Sequence, residues 1–139
     1  MTQEDKRLLL KDLCNRIMYG VKCAVYENTD VYTLSGVLPN KVYNELYFEE
    51  LDWKECNGFA DIQYCKPYLF PLSSMTKEQR YELHDLIHNL NVLAINGEIG
   101  DWIVSSSEID WYNKNHFDYR GLIKNGLALD ATGLNIYKQ

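Results

Sequence analysis

VKCAVYENTDVYTLSGVLPNKVYNELYFEELDWKECNGFADIQY, residues 21–64, is the stretch that decides the fold class. It contains four short segments rich in Val, Tyr, Thr and Phe, the residue types that favour β-strands. The linkers ENTD, LPNK and DWKECN carry turn residues, which predicts an antiparallel meander of four to five strands. Because so few strands cannot bury both faces of a flat sheet, we expect the meander to curl into a small SH3-like partial barrel.

Helix signals lie on both sides of this meander. Thr2, acidic residues in the next turn and leucines at helical spacing predict an N-terminal helix over residues 3–17. The TKEQ capping box at residues 76–79 predicts the start of a second helix, because apolar residues follow it at helical spacing. The fold class is therefore α+β, with a small antiparallel SH3-like partial barrel packed against an N-terminal helix and C-terminal helices.

The segments that flank the second helix carry weaker signals. KPYLFPLSS, residues 66–74, predicts an extended connector, because its two prolines interrupt a central strand. Residues 101–104 fit a strand, and Ser105 with Glu108 predicts the start of a short helix after it.

Length and composition fit one domain. At 139 residues with 46% hydrophobic side chains, the chain sustains one substantial core, so we predict a single domain over residues 1–139. Its approximate lobes are residues 1–72, a helix plus the meander, and residues 73–139, which are mainly helical. No apolar run is long enough to span a bilayer and the start does not resemble a secretory signal, so we expect a cytoplasmic protein without membrane contact.

The charge balance disfavours one class of partner and favours another. Twenty acidic residues against 14 basic ones give a formal net charge of −6. Nucleic-acid binding requires clustered Lys and Arg, which this sequence does not contain. Residues 45–61 concentrate acidic side chains, which form either a solvated face or an acidic docking patch for a basic protein partner. The residues of this acidic docking patch are Glu45, Glu49, Glu50, Asp52 and Glu55.

Cysteines and histidines offer few metal ligands at suitable spacing. The four cysteines are Cys14, Cys23, Cys56 and Cys65. Their spacing is wider than that of zinc sites, so we interpret them as free and mostly buried thiols. His84 and His88 stand four residues apart on the second helix and form a weak candidate pair for a metal. The sequence otherwise predicts no metal and no cofactor.

The HFDYR segment is the densest polar cluster in the C-terminal part. His116 can act as an acid or a base, Asp118 can orient it, and Arg120 can bind a phosphate or carboxylate with two N–H groups. Trp111 and Tyr112 are close enough in sequence to line a pocket beside them. In the alternative interpretation, Asp118 caps a turn, Arg120 forms an ion pair, and the aromatic residues pack beneath them.

Recognisable catalytic motifs are missing from the sequence. It contains no G-x-S-x-G, no P-loop, no G-x-G-x-x-G, and no H-x-E with paired cysteines. The sequence therefore does not decide whether the protein is an enzyme, and the missing motifs favour a noncatalytic protein.

Two motifs carry a resemblance to a known group of proteins. They are KPYLxPxSSMT, at residues 66–76, and HFDYRGLIxxGLAL, at residues 116–129. Together with the N-terminal MTQEDKRLLLKDLCNRIMYGVK, they resemble a family of short proteins from gut anaerobic bacteria and their phages. That family has no assigned function, so the resemblance implies a phage or mobile-element setting and carries over no catalytic residue.

Three functions are compatible with these observations. The first is a noncatalytic protein-interaction module that uses the acidic docking patch. The second is a small-ligand-binding protein or enzyme centred on the HFDYR segment. The third is nucleic-acid binding through the barrel face, where aromatic side chains could stack on bases.

Overall fold

The computed structural model describes residues 1–26, 30–38, 44–51 and 58–137. Within these ranges the chain forms three α-helices and eight short strands, which confirms the predicted α+β class. The helices are α1 (Gln3–Arg16), α2 (Lys77–Ile95) and α3 (Asp101–Lys114). The strands are β1 (Lys22–Val25), β2 (Tyr32–Thr33), β3 (Gly36–Leu38), β4 (Glu45–Tyr47), β5 (Phe59–Asp61), β6 (Cys65–Pro71), β7 (Phe117–Asp118) and β8 (Leu129–Asp130).

The strands form two sheets. The larger has the order β2-β1-β6-β7, and β8 also pairs with β6. Its β1–β2 and β1–β6 pairs are antiparallel, whereas β7 and β8 run parallel to β6. The smaller sheet is the antiparallel set β3-β4-β5. These strands do not close into a barrel within the described ranges, and the SH3-like partial barrel stays a prediction.

Helix α1 supplies one wall of the main core. Leu9 and Leu13 are fully buried and belong to one cluster with Phe48 and Leu69. The thiol of Cys23 joins this cluster, and burial raises its pKa well above the ordinary value. Cys65 is likewise free and buried, Cys14 is free but exposed, and Cys56 lies outside the described residues.

The prediction of an extended connector at residues 66–74 is wrong. Strand β6 pairs with β1, β7 and β8, and it lies at the centre of the larger sheet. The Tyr26 N–H donates to the Tyr64 carbonyl, so alternation along the antiparallel pair leaves Cys23 and Pro67 opposite each other at a non-hydrogen-bonded position. Strand β1 therefore requires no N–H group from Pro67.

The helix predictions fared unequally. Helices α1 and α2 begin as predicted, since the side chains of Thr2 and Thr76 cap them. The strand expected at residues 101–104 is wrong, and so is a helix start at Ser105, because α3 already begins at Asp101. Here the packing of α3 against α2 outweighs the strand propensity of β-branched residues. Among the helices described, none combines the length and apolar character needed to cross a membrane.

Candidate functional site

The His116 imidazole is positioned by a left-handed turn at the end of α3. The Asn115 N–H bonds the Trp111 carbonyl, and His116 then adopts a φ of 61°. Its carbonyl accepts a hydrogen bond of 2.8 Å from the Phe70 N–H, which joins the chain to β6. This turn sends Phe117 into the core and leaves His116 at the margin of the sheet.

The imidazole is nearly buried and stacks on an aromatic ring. Its centroid lies 3.6 Å from that of Tyr137, with 13° between the planes, and 9% of the residue is exposed. Its Nδ1 has no hydrogen-bond partner among the described residues. Burial, with help from the nearby Arg16 and Lys22 charges, lowers the pKa of His116 to about 4. The ring is therefore neutral at neutral pH and offers one donor and one acceptor nitrogen.

Tyr137 fixes this arrangement to the larger sheet. Its hydroxyl accepts from the Lys22 N–H at 2.9 Å and donates to the Tyr68 carbonyl at 2.6 Å. Burial raises the pKa of the Tyr137 hydroxyl above its ordinary value, so it stays protonated. The imidazole and the phenol thus form one stacked wall.

This wall borders an open cleft of about 540 Å³, which we call the His116 cleft. Lys22, Lys114 and His116 line it, together with the side-chain amides of Gln79 and Asn115. Its less polar lining is Phe70, Ile136 and the rings of Tyr19 and Tyr137. The described lining contains no acidic side chain.

The two lysines reach the cleft from different elements. Lys22 lies on β1, and its Nζ donates to the Thr33 Oγ1 at 2.8 Å. Lys114 is exposed in the last turn of α3, where a cation also interacts favourably with the helix dipole. Neither lysine pairs with an acidic side chain in the part of the chain that is described.

Arg120 belongs to a separate buried cluster instead of this cleft. Its Nε donates to the Asp12 Oδ1 at 3.1 Å, and the Arg16 Nε donates to the Asp12 Oδ2 at 2.7 Å. Arg16 also donates to the Phe117 carbonyl at 2.7 Å. The Tyr119 ring lies 5.3 Å and 4.9 Å from the two guanidinium carbons. The interpretation of Arg120 as an ion-pair residue therefore matches its contacts.

The other predicted binding residues also have partners within the fold. The Asp118 carboxylate accepts from the backbone N–H groups of Leu122 and Ile123, both at 2.9 Å.

The buried Trp111 indole donates to the Glu82 carboxylate, and its ring stacks 5.7 Å from that of Phe117. The Tyr112 hydroxyl donates to the Glu108 carboxylate, and its ring stacks on Tyr119. Of the five predicted residues, only His116 lines the His116 cleft.

The acidic docking patch is only partly described. Glu45 lies on β4 directly opposite Asp61, and Glu49 and Glu50 are exposed. The Glu50 carboxylate is 3.4 Å from the Thr33 N. Asp52 and Glu55 lie outside the described residues, so the patch stays a prediction.

His84 and His88 share one face of α2, as their spacing predicts. Their ring centroids are 6.4 Å apart, and both residues are exposed. Within the described ranges, no group of three or more His, Cys, Asp or Glu side chains is arranged to hold a metal ion.

Sequence reasoning missed Lys22, Lys114 and Tyr137 as neighbours of His116. Lys114 stands two residues before His116 in the sequence, whereas strand pairing brings Lys22 near His116: β1 pairs with β6, and β6 pairs with β7. Tyr137 follows β8, the other parallel partner of β6. The one available signal for these neighbours was the closeness of Lys114 to His116 in the sequence.

Comparisons with known proteins found no relative for this chain. No family model matches it, and neither the curated proteins nor the solved structures gave a match. The resemblance to a family from gut anaerobes and their phages stays a prediction.

Proposed function

We propose that this protein binds a small organic anion in the His116 cleft. One observation carries the proposal: two lysines and a nearly buried imidazole line one cleft that has no acidic side chain in its described lining. Charged groups without an opposite charge nearby attract a ligand that supplies it. A phosphate or carboxylate is the chemical group that fits this lining.

The size and walls of the cleft indicate an organic ligand instead of a bare ion. Its volume of about 540 Å³ falls in the range typical of small-molecule sites. Phe70 and Ile136 offer apolar contact. The Gln79 Oε1 accepts from the Thr76 N–H and the Asn115 Nδ2 donates to the Trp111 carbonyl, which leaves the Gln79 NH2 as a donor and the Asn115 Oδ1 as an acceptor for a ligand. We therefore expect a ligand with an anionic group at one end and a planar or apolar part at the other.

The contacts around His116 favour binding over turnover. A histidine that acts as a general base is usually oriented by a carboxylate. The Asp118 carboxylate, the nearest candidate in sequence, instead accepts two backbone N–H groups. Arg120 pairs with Asp12 and is not among the residues that line the cleft.

Isothermal titration calorimetry with charged and neutral ligand pairs tests this proposal. Adenosine 5′-monophosphate against adenosine probes a phosphate, and benzoate against benzyl alcohol probes a carboxylate. We expect at least one anion to bind with a Kd below about 1 mM. Its neutral counterpart should bind at least about tenfold more weakly, because a hydrogen bond to a charged group contributes about 1.5–3 kcal/mol.

Matched lysine variants assign any binding to the cleft. Lys22→Gln and Lys114→Gln should each raise the Kd of the anion by about tenfold or more. Lys66→Gln and Lys124→Gln remove exposed charges that do not line the cleft, and they should leave the affinity unchanged. Urea unfolding of each variant checks that the fold persists. The proposal is wrong if neither anion binds, if the neutral compounds bind equally well, or if all four variants behave alike.

The remaining hypotheses stay proposals without a complete described site. The acidic docking patch would bind a basic protein, and the face of an SH3-like partial barrel would bind nucleic acid. A cytoplasmic, phage-related setting is compatible with anion binding and is not required by it.

A further inference from the structure

The hairpin formed by α2 and α3 has a buried end and an exposed end. Near the larger sheet, Leu83, Trp111 and Phe117 form a buried cluster. At the other end, large apolar side chains face solvent, and we call this group the hairpin tip. The hairpin tip consists of Val92, Leu93, Ile95 and Trp102, which are 43%, 37%, 84% and 72% exposed.

A backbone hydrogen bond and side-chain packing order the hairpin tip. The Glu98 N–H bonds the Leu93 carbonyl at 2.9 Å, and Gly97 adopts a φ of 75° between the two helices. A Cβ atom at Gly100 would lie 2.8 Å from atoms of the Trp102 ring. The indole therefore packs directly on the Gly100 backbone, which holds an exposed aromatic side chain in place. Tryptophan is among the residues that most often dominate the energy of protein interfaces.

The charge of the hairpin indicates which partner it suits. Residues 81–113 contain six acidic residues and neither Lys nor Arg, so this segment carries the full net charge of −6. Its acidic residues are Glu82, Asp85, Glu98, Asp101, Glu108 and Asp110. Glu98 and Asp101 lie in sequence between Ile95 and Trp102, at the hairpin tip itself. The same acidic segment of a second copy, an anionic membrane surface and a nucleic acid would all be repelled.

We infer that the hairpin tip docks a basic amphipathic segment of another protein. The apolar residues of that segment would cover Ile95 and Trp102, and its Lys and Arg side chains would face Glu98 and Asp101. Apolar contact with a charged surround is the usual arrangement of a peptide-binding surface. This surface is distinct from the His116 cleft, since Gln79 in the cleft and Ile95 are about 24 Å apart along α2 at 1.5 Å per residue. The inference does not depend on the proposed function.

Selection from a random peptide display library against the whole protein tests the inference. We expect enriched peptides to carry a net positive charge together with aromatic or long aliphatic residues. Synthetic versions of these peptides should bind less tightly as ionic strength rises. Trp102→Ser and Ile95→Ser should each lower the affinity for the peptides by about thirtyfold, the effect typical of a central interface residue. Tyr81→Ser is the matched control, because Tyr81 is 63% exposed near the opposite end of α2.

Several outcomes would overturn the inference. Neutral or acidic peptides, or an absence of enrichment, would contradict the expected partner chemistry. Peptides that bind Trp102→Ser and Ile95→Ser as tightly as the wild type would assign binding elsewhere. Analytical ultracentrifugation that shows a wild-type dimer and a Trp102→Ser monomer would assign the hairpin tip to a second copy of the chain.

Discussion

Two groups of basic side chains in this protein differ in what surrounds them. Arg16 and Arg120 share the buried Asp12 carboxylate and lie over the Tyr119 ring. Lys22 and Lys114 line an open cleft and pair with no acidic side chain in the described ranges. Guanidinium groups suit buried pairing because they are planar and more weakly hydrated, whereas a lysine ammonium group remains a hydrated point charge. The arginine charges therefore stabilise the fold, and the lysine charges are available for a ligand.

The largest loss of stability should follow from removing the charge of Asp12, which pairs with Arg16 and Arg120. Asp12→Asn keeps the shape of the side chain but leaves Arg16, which is fully buried, without its counter-ion. Removing one partner of a buried ion pair costs about 3–5 kcal/mol, so we expect a loss of that order in the free energy of unfolding. Urea unfolding followed by circular dichroism measures it.

Asp5→Asn is the control for this prediction. Asp5 is a half-buried residue of α1 whose carboxylate accepts from the Thr2 N–H in the capping box. Its substitution should cost much less than that of Asp12. If the two variants lose equal stability, burial of the carboxylate is not what gives Asp12 its importance.

His116, which lines the His116 cleft, should make the free energy of unfolding depend on pH. The pKa of this imidazole is lowered to about 4, against an ordinary value of 6.5. Between these pH values the unfolded chain takes up a proton that the folded chain does not, so stability falls as pH drops from about 6.5 towards 4. His116→Asn removes this proton uptake, and asparagine tolerates the positive φ. The variant should therefore lose less stability than the wild type over this range.

Urea unfolding at several pH values checks the His116 prediction. His84→Asn removes an exposed imidazole from α2 and should follow the wild-type pH dependence more closely. If His84→Asn flattens the pH dependence as much as His116→Asn does, the buried environment of His116 is not the cause.

The sequence predicted the parts of the fold that local signals determine. The capping residues Thr2 and Thr76 marked the starts of α1 and α2, because a cap and the following turn lie within a few residues. The sequence did not predict β6 as a central strand. Its role depends on β1, β7 and β8, which join from distant parts of the chain. The prolines in β6 misled the prediction, because the positions where a sheet tolerates them depend on pairing register.

The candidate site shows the same limit. His116 was identified from residue chemistry alone, and its expected partners Asp118 and Arg120 turned out to contact other groups. Lys22 could not be found, because only the assembled sheet brings it to the cleft, whereas Lys114 stands two residues before His116 and was overlooked. Residues near His116 in the sequence therefore supply only part of the lining of the His116 cleft, and the rest comes from distant parts of the chain.

Nuclear magnetic resonance of the His84, His88 and His116 imidazoles tests most directly whether the cleft lined by Lys22 and Lys114 binds a ligand. The titration uses whichever of adenosine 5′-monophosphate and benzoate binds more tightly, and its neutral counterpart serves as the control. Anion binding in the His116 cleft predicts saturable shifts of the His116 signals while those of His84 and His88 stay in place. If the His116 signals do not move at saturation, or all three imidazoles shift together without saturating, the cleft does not bind the anion and the account is contradicted.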